Sequence, residues 1–136
     1  MTRARDEARA LGLVALLAGA GITHFTSPGF YEPIVPRPLG PARAWVLGSG
    51  VVELLAAGLV AVPRTRRFGG LLAAVTLVGV FPANVKAALD GGMAHLDPPM
   101  NSAAVAWLRL PLQAPMVLWA LRVAGAADAA DAAAAR

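Results

Sequence analysis

Four apolar stretches, each long enough to cross a bilayer, follow one another along the chain with short polar connections between them. They fall at residues 8–25, 42–62, 68–89 and 103–124. Each is about 18 to 22 residues long, which at about 1.5 Å of rise per residue matches a hydrocarbon layer about 30 Å thick. The pattern predicts an all-α fold: a single integral membrane four-helix bundle over residues 1–124. The low-complexity tail over 125–136 reads as a frayed helix or a disordered segment.

Strong polar groups interrupt this apolar background at few places. Glu53 lies in the second stretch, Asn84 and Lys86 in the third, Arg109 and Gln113 in the fourth, and His24 ends the first. A charge at the centre of a spanning helix costs roughly 3 kcal/mol, so such groups persist by facing a protein interior, a partner or water. Counted inward from the far ends of the stretches, Glu53 and Gln113 lie about 15 Å deep and Asn84 and Arg109 about 8 to 9 Å deep. All fall in the outer half of the bundle, as a cavity reached from the outer face or leaflet would require.

Helical phase refines the placement. Trp45, Ser49, Glu53 and Ala57 recur at i+4 and form one stripe, with a single acid among small residues that suit a close helix neighbour. Arg109 and Gln113 share a face with Met116 nearby, and a Glu53–Arg109 ion pair is the expected contact. Asn84 and Lys86 are about 200° apart, so Asn84 should point inward and Lys86 toward the outer surface. Pro82, Pro111 and Pro115 each remove an N–H from the ladder, depriving the carbonyls of Val78, Trp107 and Pro111 of their usual donors.

The connections differ in kind. Residues 26–41 combine Pro28, Pro33, Pro36, Pro38 and Pro41 with Phe30, Tyr31, Ile34 and Val35, and read as an outer lid or re-entrant cap. Residues 62–67 form a tight basic turn that makes the second and third stretches antiparallel neighbours. The loop over 90–102, with Gly91-Gly92 and Pro98-Pro99, is expected to be irregular and mobile. Eight of the 12 basic side chains lie on the side of the N-terminus and four toward the other, which favours N-in, C-in. A signal peptide is the alternative reading of the first stretch.

Composition agrees. With 57% hydrophobic and 15% charged residues the chain is too apolar for an ordinary water-soluble domain. The net charge of +4 comes from arginines clustered between apolar stretches, which points to membrane topology and away from nucleic acid. The absence of cysteine excludes disulfides, thiol nucleophiles and cysteine-held zinc or iron–sulfur centres. Any redox centre then comes with a partner or a diffusible ligand. His24, His95 and Asp97 lack metal-ligand spacing, so no metal site is expected. Trp45, Trp107 and Tyr31 suit an interfacial aromatic belt and, secondarily, a stacking surface for a ring-bearing ligand.

The segments AGITHF (20–25), GSGVVEL (48–54), PRTRR (63–67), VFPAN (80–84) and WLRLPLQ (107–113), with Pro28, Phe30 and Ile34-Val35-Pro36, occur in this order across all four stretches. Together they resemble the DoxX-like family of small bacterial four-helix membrane proteins. The resemblance implies a membrane component of thiosulfate–quinone oxidoreductases or related assemblies, and assigns no general catalytic residues. The missing cysteine departs from any direct thiol role.

The expected protein is therefore a multi-pass protein of the bacterial cytoplasmic (inner) membrane. It would bind a quinone-like or sterol-like molecule and serve a redox or lipid-modifying pathway. Glu53 and His24 are the candidates for moving a proton. Asn84, Arg109, Gln113, Ser49, Trp45 and Trp107 are the candidates for ligand contact. The residues assign no cofactor; a quinone, held without a covalent bond, is the one candidate. The partners are the bilayer, the lipophilic molecule, an oxidoreductase partner protein and further copies of the chain in a homo-oligomer. Two alternatives stand beside this: a membrane enzyme doing acid–base chemistry of the isomerase or cyclase type, and a structural subunit of an oxidoreductase complex with no site of its own, its arginine turn docking a cytoplasmic partner.

Overall fold

The computed structural model describes residues 2–135, which are helical with no strand among them. Helix α1 spans Thr2–Thr26, α2 Ala42–Ala61, α3 Arg66–Gly79, α4 Phe81–Leu89 and α5 Ala103–Ala134. Taking α3 and α4 as one crossing, four helices are long and apolar enough to span a membrane. Their outward faces stay apolar, with Leu11, Leu55, Phe68, Val75 and Leu118 all at least half exposed. α1 packs on α2, α2 on α3 and α3 on α5, while α4 leans chiefly on α5.

The bundle has two dissimilar ends. At the turn end lie both termini and the α2–α3 connection, and the core there is Ala10, Leu13, Ala56, Val60, Ala73, Ala74, Ala120 and Val123. Alanine at so many contacts lets the backbones approach closely, which is how helices associate where no hydrophobic gradient separates them. The turn itself is bonded internally. Arg66 grips Glu7 with two nitrogens, at 2.8 and 3.1 Å, and donates from Nε to the Val60 carbonyl at 2.9 Å. Arg67 pairs with Asp128 at 3.1 Å.

That last pair bears on the tail, for which the sequence leaves a frayed helix and a disordered segment open. α5 continues as helix through Ala134, and Ala127 is buried against the bundle. Alanine is the strongest helix former, so a low-complexity alanine run extends a helix already nucleated by packing. The third apolar stretch differs in the other direction: it breaks at Val80 into α3 and α4, with Pro82 in the first turn of α4, where its missing N–H leaves no intrahelical bond unmade.

Opposite the turn end lies the lid, three single 3-10 turns over Pro28–Phe30, Glu32–Ile34 and Arg37–Leu39. The prolines fix these turns, and side chains from α1, α2, α4 and the α4–α5 loop hold them down. Beside the lid Gly92, at φ 113, turns the chain so that Met93 is buried with Ile34 and Ala87. The α4–α5 loop is irregular, as its composition predicts, and contributes Met93 to a small second core.

Candidate functional site

Beneath the lid the four apolar helices and the lid itself line a partly open cavity of about 330 Å³, near the lower limit of small-molecule sites. Its walls are mostly aliphatic, with Leu16, Leu17, Val46, Leu77, Leu112 and Met116. Polar groups enter from three sides. Of the expected ligand-contact and proton-moving residues, His24, Trp45, Ser49, Glu53, Asn84, Arg109 and Gln113 all line it. Trp107 does not; its face of α5 turns outward and the ring is 53% exposed.

The first polar side joins α1 to α2. His24 Nδ1 and Glu53 Oε2 approach to 2.9 Å, and both residues are more than nine-tenths buried. The approach is close but not aligned, because neither atom has a partner in hydrogen-bonding geometry. We read it as an acid–base contact with capacity left for a third group. A glycine contact makes it possible: Gly21 and Gly50 face one another, and a Cβ on Gly50 would stand 2.7 Å from His24 Cβ and 2.9 Å from the Phe25 ring. The Glu53–Arg109 ion pair expected from the sequence does not form. Opposite charge and the reach of the Arg109 stem could not reveal that Glu53 points at α1 while Arg109 points toward the α4–α5 loop.

The second side is an amide chain between α4, α5 and α3. Asn84 Nδ2 donates to Gln113 Oε1 at 3.0 Å, and Gln113 Nε2 donates to the Leu77 carbonyl. That carbonyl sits at the last turn of α3, one residue before the Val78 carbonyl to which Pro82 had pointed. Asn84 thus faces inward as expected. Lys86 turns away to pair with Asp90 and donates to the Pro33 carbonyl at 3.0 Å, fastening the lid.

Arg109 forms the third side. Its Nη1 donates to the thioether sulfur of Met93 at 3.1 Å. Met93 lies in the loop that composition marked as mobile, so nothing in the sequence singled it out.

The roof is Tyr31. Its ring lies 4.0 Å from that of His24, centroid to centroid, and its hydroxyl meets Thr23 Oγ1 at 2.6 Å. Thr23 gives its only proton to the Ala20 carbonyl at 2.7 Å, so Tyr31 is the donor to Thr23. Trp45 Nε1 donates to the Leu39 carbonyl at 2.6 Å and pins the far end of the lid. His95 meets the Phe30 carbonyl at 2.8 Å; a carbonyl only accepts, so His95 Nε2 carries the proton there. Tyr31, expected in the lid and the aromatic belt, roofs the cavity, while His95 lies outside its lining and braces the lid. The spacings Gly21-x-x-His24 and Gly50-x-x-Glu53 each place a glycine one turn before a polar residue in the chain, the one sequence signal for the α1–α2 contact. No set of three or more His, Cys, Asp or Glu side chains is grouped to hold a metal ion among the described residues.

Residues 13–124 match a family model described as a domain of unknown function (DUF8561), and since the match takes in most of the chain and every wall of the cavity, the chain belongs to that family. No curated protein and no solved structure matches it.

Proposed function

We propose that this DUF8561 protein binds a lipophilic, partly polar small molecule, quinone-like or sterol-like in size, in the cavity under its lid, and serves a redox or lipid-modifying pathway in the bacterial cytoplasmic membrane. The observation that carries this is the buried His24–Glu53 contact of 2.9 Å, unaligned and facing an otherwise aliphatic cavity. Burying two ionisable groups is costly unless each is fully bonded, and a ligand head group would complete the set. The resemblance to DoxX-like proteins supports a redox setting. N-in, C-in insertion, supported by the arginine bias, would open the lid toward the outer leaflet.

Native mass spectrometry of the detergent-extracted chain tests this. We expect an extra mass from a co-extracted lipophilic molecule, lost in Ser49→Phe, which fills the cavity while leaving the helices intact. A wild-type chain carrying no such mass and binding no lipophilic probe saturably would end the proposal. Cysteines placed at the exposed Ala94 and Ala130 should label from outside and inside respectively; the reverse pattern would invert the topology.

The same contact favours a second reading, a membrane enzyme. His24 or Glu53 would transfer a proton while Asn84, Gln113 and Arg109 hold the developing negative charge. Turnover by the purified chain separates it from a binding protein. The structural-subunit reading draws less support, because Arg66 and Arg67 of the basic turn are already bonded to Glu7 and Asp128.

A further inference from the structure

Among the described residues lining the cavity, Arg109 is the one arginine or lysine. Its guanidinium carries five N–H donors and a permanent charge, yet its hydrogen bonding within the protein is limited to the thioether of Met93 at 3.1 Å, a weak acceptor. No described carboxylate oxygen lies within 4.0 Å of it. Every other buried or half-buried cation in the chain differs: Arg66 has Glu7 and a backbone carbonyl, and Lys86 has Asp90 and a backbone carbonyl. Glu53, the acid that shares the cavity, is turned to His24. The neighbouring Gln113 gives its donor to Leu77 and its acceptor to Asn84, so it does not compensate Arg109 either.

A half-buried guanidinium with one weak acceptor is suited to a planar anionic oxygen, which it binds through two parallel N–H donors. Leu112 and Met116, on the same wall, offer apolar contact to whatever is attached to that oxygen. We infer that the occupant of the cavity is an amphiphilic anion, an apolar body ending in a carboxylate or an acidic ring hydroxyl, with the anionic oxygen on Arg109. This rests on the cavity holding a lipophilic ligand, and it narrows that ligand away from neutral sterols and neutral quinones.

The test compares acids with their neutral counterparts on the full wild-type chain in a non-ionic detergent at pH 8. One pair is cis-parinaric acid and its methyl ester; the other is 2-hydroxy-1,4-naphthoquinone and 2-methyl-1,4-naphthoquinone. Binding is read by fluorescence of the polyene or by quenching of the protein's tryptophan fluorescence, Trp45 being the tryptophan that lines the cavity. A charge-assisted contact should make at least one acid bind roughly 10- to 100-fold tighter than its neutral partner. Arg109→Gln should bring that acid down to the level of the neutral compound, the acid losing roughly 10-fold or more beyond any loss the neutral compound shows. Preference for parinaric acid identifies a fatty-acid-like lipid, and preference for the hydroxynaphthoquinone an acidic ring. Neutral members binding wild type as tightly as the acids would overturn the inference and leave the lipophilic pocket standing. No saturable binding of any of the four would remove both. The wild-type comparison decides the matter even where Arg109→Gln fails to fold.

Discussion

At the turn end the crossings meet through Ala10, Leu13, Ala56, Val60, Ala73 and Ala120, side chains that are buried and have no hydrogen-bonding atom. A few turns toward the lid the same crossings hold His24, Glu53, Asn84, Arg109 and Gln113 around a cavity. The turn end is closed by small residues in contact, and its stability is a sum of close packing. The lid end trades contact for space and polar groups. Stability and binding are therefore carried by different stretches of the same helices, and substitutions in the two halves should separate the two properties.

The largest loss of stability should follow Leu13→Ala, at a residue with no exposed surface. We expect about 2 to 5 kcal/mol in detergent denaturation, with the ligand affinity of the folded fraction unchanged. A loss of ligand without loss of stability would break the division between the halves.

Gly50→Leu sits on the boundary. Its side chain would force α1 and α2 apart at His24, at a cost of about 1 to 3 kcal/mol, and should abolish ligand retention as well. Gly48→Leu is the control, since a Cβ there meets nothing within 4 Å. Equal losses from the two would refute the helix-contact explanation of the His24–Glu53 pair.

Glu53→Leu should cost about 1 to 3 kcal/mol, the usual consequence of leaving a buried polar partner unsatisfied. Replacing His24 with Leu in the same chain should restore most of that stability without restoring the ligand. Recovery of the ligand in the double variant would make the pair a scaffold only. The smallest stability effect belongs to Tyr31→Phe, which removes one exposed hydrogen bond to Thr23 and should cost about 0.5 to 1.5 kcal/mol. Faster ligand exchange by stopped flow is the expected outcome; an unchanged rate would make Tyr31 a brace and not a gate.

The four apolar helices were legible because run length is a property of sequence alone, and so was the gathering of the polar groups toward one end of the bundle, which follows from their order along the helices. Partner choice was not. Depth and charge brought Glu53 to Arg109, but azimuth depends on which helices touch, and the Gly21–Gly50 contact turns Glu53 toward His24. Asn84 and Lys86 could be separated because both lie on one helix, where the angle between them is fixed by geometry. Met93 was invisible for a different reason: its burial depends on the turn at Gly92 and on Ile34 from the lid, two segments far apart in sequence.

The contact between Gly21 and Gly50 also sets how freely this chain can drift. Outward-facing leucines and valines can exchange for one another with little consequence, since they make few contacts within the bundle. The two glycines have no such freedom, because even alanine at either would place an atom within 3 Å of the facing helix. The distance between the acid and the base is thereby written into two positions that carry no chemistry of their own. In any collection of variants selected for activity, those two hydrogens should be as intolerant of replacement as the carboxyl and imidazole groups beside them.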